Sequence, residues 1–161
     1  MDLYQLHAVD PAVPLEESLG ALRELQAEGK IGHVGVSNVS VEELERARKV
    51  VDVVSVQNRY NLADRGSEDV LEACTRAGTA FIPWFPLATG RLARPGGPLA
   101  EAARAHDATP GQIALAWLLR HSPVMLPIPG TSSVGHLEEN VAASRLHLED
   151  DELDGISRAA A

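Results

Sequence analysis

Short apolar segments alternate with longer amphipathic segments along the whole chain, and this alternation limits the available folds more than any other feature. Five apolar segments are predicted as strands, at residues 3–6, 34–37, 53–57, 80–85 and 125–128. Helices are predicted at residues 15–30, 41–50, 67–77, 99–106, 109–119 and 149–157, with another running from the 129–133 turn to residue 141. Strands that are each followed by a helix, with no obvious hairpin, are typical of an α/β protein with a parallel sheet.

Two α/β architectures fit this order: an open doubly wound sheet and a (β/α)8 barrel. In a doubly wound dinucleotide-binding fold, the fingerprint glycines follow a strand and open a helix. Here Gly29, Gly32 and Gly35 precede and enter a strand. Their placement weakens the doubly wound alternative.

Composition argues against several kinds of partner. The chain has 14 Lys and Arg against 23 Asp and Glu, a formal net charge of -9. Because nucleic acids and anionic membranes are bound by basic surfaces, we expect neither as a partner. We expect no targeting segment after Met1, because Asp2 interrupts a cationic start and no apolar stretch follows. No apolar run approaches the roughly 20 residues of a membrane helix. The lone Cys74 fits a reducing cytoplasm, and the scattered histidines predict no metal site.

Polar or aromatic residues stand where the predicted strands finish: His7, Ser37 with Asn38, Gln57 and Trp84. The carboxyl ends of parallel strands meet at one rim, where α/β proteins carry their chemistry. Each residue also has a purely structural interpretation, as a helix cap, a core side chain or a partner for backbone groups. The coincidence of all five at one rim favours a functional site.

Six segments, in order, resemble the aldo-keto reductases. They are DLYQLH at 2–7, GHVGVSN at 32–38, QN at 57–58, WFPL at 84–87, IPGTSS at 128–133, and Glu139 with Asn140. The IPGTSS segment and the preceding ALAWLL helix look most like bacterial members related to pyridoxal reductase. The resemblance implies a (β/α)8 barrel, of which residues 1–161 would form one partial domain with strands four to eight. At roughly 30 residues per strand-helix unit, a complete barrel takes about 250 residues.

The resemblance implies an oxidoreductase that uses NADPH, with NADH as an alternative, to reduce a small aldehyde or ketone. His7 matches the catalytic histidine that orients the carbonyl and donates a hydrogen bond where negative charge develops. The family's catalytic aspartate, tyrosine and lysine precede the strand of this histidine. We therefore expect this chain to be weakly active or inactive alone, and to associate with itself or with an N-terminal half.

The resemblance also assigns the cofactor contacts. Ser37, Asn38 and Gln57 match residues that hold the nicotinamide carboxamide, and Trp84 matches the aromatic that stacks on the nicotinamide ring. The remaining contacts, to the pyrophosphate, the phosphates and the adenine, match Leu87, Thr89, Gly130, Thr131, Ser132, Ser133, His136, Glu139 and Asn140.

Two of these positions depart from the family pattern. Gly130 and His136 stand where many members have a lysine and an arginine that bind the 2′-phosphate. His136 is either a weaker phosphate partner or a surface residue, so the preference for NADPH stays open. Two other functions also stay open: a non-catalytic module that binds a nucleotide or a partner, and an inherited scaffold without a ligand.

Overall fold

The computed structural model describes residues 1–94 and 96–160, without the side chain of Thr89. Its strands are β1 Leu3–Leu6, β2 His33–Ser37, β3 Val53–Gln57 and β4 Ala80–Phe81. Its α-helices are α1 Leu15–Ala27, α2 Val41–Arg48, α3 Glu68–Ala77, α4 Ala100–Ala105, α5 Pro110–His121, α6 Val134–Ala142 and α7 Asp150–Ala160. Short 3-10 helices cover Ala88–Gly90 and Ala143–Arg145. The chain forms two compact units, unit 1 (residues 1–58 and 67–82) and unit 2 (residues 59–66 and 83–160).

Unit 1 contains the parallel sheet, in the order β1-β2-β3-β4. Helices α1, α2 and α3 connect successive strands, as the alternation of the sequence predicts. The aliphatic side chains of the strands and the apolar stripes of these helices form the core, and each buried side chain contributes about 1.5–3 kcal/mol. The core includes Leu15, Leu19, Leu22, Val34, Val36, Leu44, Val53, Val56, Val70, Leu71, Cys74 and Phe81.

Local signals in the sequence set the ends of these helices. Ser40 and Glu43 form a capping box at the start of α2, where Ser40 accepts from the Glu43 amide and Glu43 accepts from the Ser40 amide. Gly78 ends α3 with a φ of 68°, a left-handed conformation that glycine adopts without steric cost. Both boundaries follow from the residues that the sequence places there.

Unit 2 is built around α5, the most buried helix. Thr109 caps it in a second capping box, with Gln112 at the third helical position, and Pro110 begins the helix. Helices α4 and α6 and the 3-10 turn at Ala143–Arg145 contact α5. Residues 113–118 of α5 are all apolar and buried, as expected for a helical segment at the centre of such a packing arrangement.

Two predicted strands differ from the structure by more than one residue. The strand predicted at residues 80–85 ends at Phe81, because Pro83 has no amide hydrogen for the ladder. The strand predicted at residues 125–128 is wrong: in the described chain these residues form no strand, and only Met125 makes an isolated bridge. Pro127 interrupts this short segment in the same way.

In the described residues, no helix is long and apolar enough to cross a membrane. Within those same residues, no group of three or more His, Cys, Asp or Glu side chains could hold a metal ion.

Candidate functional site

The carboxyl ends of β1, β2 and β3 bring four of the predicted site residues together in unit 1. The Ser37 hydroxyl donates to the backbone carbonyl of Gln57 at 2.6 Å, and the backbone amide of Asn38 donates to the same oxygen at 3.1 Å. The Asn38 side-chain amide donates to the backbone carbonyl of His7 at 2.9 Å. These bonds link the ends of three neighbouring strands into one rim.

A layer of polar residues lies one pleat below this rim. Gln5, Gly35 and Ser55 are aligned across β1, β2 and β3, and the Gln5 amide donates to the Ser55 hydroxyl at 3.0 Å. Gly35 borders a register irregularity and has no room for a side chain, because a Cβ there would lie within contact distance of Ser55 Oγ and 2.9 Å from Gln5 Cγ. This close packing supports the strand ends from beneath.

The hydrogen bonds at the rim decide which groups remain for a ligand. The hydroxyl hydrogen of Ser37 is used on Gln57, and its oxygen accepts from the Asn38 amide at 3.1 Å, which leaves one lone pair. Both amide hydrogens of Asn38 are used, on His7 and on Ser37. Within residues 1–94 and 96–160, the side chains of His7 and Gln57 make no hydrogen bond, and His7 is exposed.

Asn38 adopts a φ of 56°, in the left-handed region that few residues other than glycine occupy. Asparagine tolerates this conformation better than most residues because its short side chain can bond nearby backbone groups. Its bonds to His7 and Ser37 are of this kind. The conformation therefore directs the Asn38 amide toward the end of β1.

Asn58 has a structural role instead. It is buried, and its side chain accepts from the Val39 amide at 3.1 Å and donates to the Val39 carbonyl at 2.7 Å. It also donates to Ser67 at 3.3 Å. The sequence motif at residues 57–58 thus combines one rim residue with one residue that holds the start of α2.

Unit 2 contains a groove of about 560 Å³. One wall comes from the segment after Trp84, another from the start of α5, and the rest from residues 128–131 and α6. Six of the predicted cofactor contacts line it: Leu87, Gly130, Thr131, His136, Glu139 and Asn140. Although these residues are far apart in sequence, the structure places them around one cavity large enough for part of a dinucleotide.

The beginning of α6 lies at this groove. Ser133 caps the helix by accepting from the His136 amide at 3.4 Å, and Thr131 accepts from the Ser133 amide at 3.1 Å. Thr131, Ser132 and Ser133 are exposed, and Ser132 and Ser133 do not line the groove. Exposed hydroxyls at the N-terminus of a helix suit an anionic ligand.

Gln112 connects one wall of the groove to another, a role that no pattern in the sequence indicates. Its side-chain carbonyl accepts from the Thr109 amide at 2.9 Å in the capping box, and its amide donates to the Glu139 carbonyl at 3.1 Å. Helices α5 and α6 are therefore fixed relative to each other where both line the groove. Capping boxes can be read from sequence, but the second bond joins residues 27 positions apart.

Trp84 is half-buried and stands at a tightly bonded turn of unit 2. Arg59 and Trp84 form an isolated parallel bridge, and the Tyr60 amide donates to the Trp84 carbonyl at 3.2 Å. The next residue, Phe85, has a φ of 68° and lines the groove. The buried Asn61 donates to the Phe85 carbonyl at 3.1 Å.

Thr89 is the one predicted contact whose side chain lies outside the described residues.

Cys74 is not a candidate nucleophile, because burial in unit 1 raises the pKa of its thiol to about 11. The carboxyl groups of Glu16 and Glu152 have lowered pKa values; the first bonds Arg46, and the second bonds the Glu149 amide and His106. Neither carboxyl lies at the rim or in the groove.

Comparisons with known proteins identify the family of this chain and relate its fold to solved structures. The chain belongs to the aldo/keto reductase family, whose model matches residues 1–161. It is 51% identical over 148 residues to the uncharacterized oxidoreductase C215.11c of Schizosaccharomyces pombe, and 46% identical over 147 residues to pyridoxine 4-dehydrogenase of Escherichia coli. The alignments cover 92% and 89% of this chain, but only 48% and 51% of these relatives.

Solved aldo-keto reductases have the same arrangement of elements. The thermostable aldo-keto reductase Tm1743 superimposes with a TM-score of 0.91 at 35% identity, over 99% of this chain and 60% of that one. An aldo/keto reductase from Klebsiella pneumoniae, crystallised with NADP and acetate, gives 0.87 at 34% identity, over 98% and 58%. The chain thus spans about half the length of the curated relatives and three fifths of the solved ones.

Proposed function

We propose that this chain binds a nicotinamide dinucleotide, NADPH in the first place, as part of an aldo-keto reductase that reduces a small aldehyde or ketone. The observation that carries the proposal is the groove of unit 2, which is lined by six residues that the family resemblance assigns to the cofactor. Klebsiella pneumoniae and Gox0644 aldo-keto reductases, 34% and 27% identical to this chain, were crystallised with NADPH. In this proposal, residues 1–161 are a part of a (β/α)8 barrel.

The groove has the chemistry to receive the adenosine and phosphate half of the cofactor. Leu87, Ile128 and Pro129 give it apolar walls. The exposed Thr131 lines it just before the start of α6, and the N-terminus of a helix suits phosphate. No lysine or arginine is among its described lining residues, so His136 is the cation-forming side chain that could meet a 2′-phosphate. The preference for NADPH over NADH should therefore be modest.

The rim of unit 1 suits the carboxamide of the nicotinamide. The remaining lone pair of Ser37 can accept from the carboxamide nitrogen, and the unbonded amide of Gln57 can both donate and accept. Asn38 supports this arrangement by holding Ser37 and the end of β1. We assign Trp84 to stacking on the nicotinamide ring, which fixes the face that transfers the hydride.

When bound, the cofactor supplies a hydride to the carbonyl carbon of the substrate. His7 is exposed at the rim, where a neutral imidazole can donate one hydrogen bond to the carbonyl oxygen as negative charge develops on it. The proton for this oxygen needs a general acid, which is worth roughly 10²- to 10⁴-fold in rate. The family resemblance places this acid in segments outside these 161 residues, so we propose that the full reaction requires them.

A second function, a nucleotide-binding module without a hydride-transfer step, is favoured by the environment of Tyr60. This is one of two tyrosines in the sequence, and it is fully buried in unit 2 with its ring stacked on His121. The other, Tyr4, lies on β1 and is 40% exposed. Tyr60 is therefore poorly placed to give a proton to a substrate.

Titration of the 161-residue chain with NADPH and with NADH, followed by cofactor fluorescence, tests the proposal. We expect His136→Ala to weaken NADPH binding and to leave NADH binding nearly unchanged. His147→Ala is the matched control, because His147 is 77% exposed and does not line the groove. No binding of either cofactor would overturn both functions.

Reduction of an aldehyde separates the two functions. The name of the Escherichia coli relative makes the aldehyde form of pyridoxine a first substrate to test. Reduction that requires NADPH and is lost in His7→Ala supports the enzymatic function. Cofactor binding without reduction, even when the N-terminal half of a relative is supplied, supports the nucleotide-binding module.

A further inference from the structure

We propose that Arg59 is a positioning residue for Trp84, and that it holds the indole ring in the orientation needed to meet the nicotinamide. This inference rests on the proposed function. The guanidinium carbon of Arg59 lies 5.7 Å from the centre of the Trp84 ring and 4.7 Å from the centre of the Phe85 ring. Both distances are within the range of a cation–π interaction.

Asp64 fixes the guanidinium in this place. Its carboxylate accepts from Arg59 Nε at 2.7 Å. Asp64 is itself held by backbone bonds in both directions with Asn61, at 2.9 and 3.1 Å. The loop at residues 59–64 is thus a closed turn that presents one cation to two aromatic rings.

The two rings need such support because the backbone beneath them is strained. Phe85 has a φ of 68° and precedes Pro86, a combination that side-chain sterics disfavour. The Asn61 amide and the Ala88 amide both donate to the Phe85 carbonyl, each at 3.1 Å. The loop therefore fixes the backbone of this turn through Asn61 and its rings through Arg59.

The backbone pairing does not depend on the Arg59 side chain. The bond from the Tyr60 amide to the Trp84 carbonyl involves main-chain atoms only. Replacing Arg59 should consequently leave the main chain of Trp84 in place and release only its ring. This separation allows orientation to be tested apart from folding.

Arg65 offers a matched control within the same unit. Its guanidinium carbon lies 4.5 Å from the centre of the ring of Trp117, the other tryptophan of the chain. Arg65→Leu removes the same kind of contact from the indole that has no part in the proposed site. It should alter the fluorescence of Trp117 and leave that of Trp84 unchanged.

Acrylamide quenching and fluorescence anisotropy of Trp84 give the first test. Spectra of wild type and Arg59→Leu are each corrected by subtracting the matching Trp84→Phe variant, so the buried Trp117 need not be changed. We expect faster quenching and lower anisotropy of Trp84 in Arg59→Leu, a smaller change of the same sign in Asp64→Asn, and partial recovery in Arg59→Lys. Unchanged quenching and anisotropy in a folded Arg59→Leu protein would overturn the proposal.

The dissociation constant of NADPH gives the second test. It should rise roughly 2- to 5-fold in Arg59→Leu and stay constant in Arg65→Leu, as expected for loss of one exposed cation–π contact. A released indole with an unchanged dissociation constant would refute its positioning role in cofactor binding. If the wild type binds no NADPH, the proposed function fails, while the first test still decides whether Arg59 orients Trp84.

Discussion

Replacement of Gly35 by alanine should destabilise unit 1 through the polar layer beneath the rim. The added methyl would meet Ser55 Oγ, lie 2.9 Å from Gln5 Cγ and lie 3.1 Å from the Ser55 carbonyl oxygen. Overpacking of this kind costs about 1–3 kcal/mol. Displacing Gln5 also breaks its bond to Ser55, worth about 0.5–1.5 kcal/mol.

The smaller conformational entropy of the unfolded alanine chain offsets about 0.4–1 kcal/mol of this loss. We therefore expect the free energy of unfolding to fall by about 2 kcal/mol, within a range of roughly 1 to 4 kcal/mol. Urea denaturation followed by far-UV circular dichroism measures the change, with an unaltered m-value as the sign that both end states are preserved.

Gly20→Ala is the matched control for this substitution. Gly20 lies inside α1, and a Cβ there would meet no atom within 4 Å. This alanine should raise stability by roughly 0.5–1 kcal/mol. Gly35→Ala combined with Ser55→Ala should regain part of the loss, because the nearest obstructing atom is removed. Equal stability of wild type and Gly35→Ala would refute the steric argument.

Three further predictions concern groups outside the proposed site. Burial raises the pKa of the Cys74 thiol from 9.0 to about 11, so its thiolate should be roughly 100-fold scarcer at neutral pH than that of an ordinary thiol. Labelling of this thiol should therefore be slow until urea unfolds α3. The lowered pKa of the Glu152 carboxyl stabilises the fold above pH 4.5, and this contribution is lost as the pH falls below that value. The stability difference between wild type and Glu152→Gln should therefore shrink as the pH is lowered below 4.5, and a constant difference would contradict this. Three apolar side chains on one side of α6 are 54–72% exposed: Val134, Leu137 and Val141. The chain should therefore self-associate in sedimentation velocity, and Leu137→Lys should reduce the association. A wild-type protein that is monomeric at all concentrations would refute this prediction.

Much of the secondary structure could be predicted because its signals are local. The predicted bounds of β1 and β3 agree with the structure, and the capping residues Ser40 and Thr109 begin the helices that they were expected to begin. The two errors in the strands both involve proline, at Pro83 and Pro127. There an apolar run suggested a strand, but the missing amide hydrogen prevented a regular ladder.

The site could be predicted in part, for a similar reason. The alternation of side chains along strands places Ser37 and Gln57 at one rim, and six of the residues that the family resemblance names line the groove. The role of the loop at residues 59–64 could not be predicted, because its contacts join Arg59 to Trp84 and Asn61 to Phe85, across more than 20 positions, with no periodic pattern. Such pairs become visible only once the chain is folded.

The backbone conformation of Phe85 sets two opposing demands on the residue at this position. A glycine would adopt the φ of 68° with less strain, so local stability alone would select against phenylalanine at this position. Glycine would also lose the ring beneath the Arg59 guanidinium and widen the range of backbone angles open to the neighbouring Trp84. Local stability thus favours glycine at this position, whereas accurate placement of Trp84 favours phenylalanine, the residue that is present.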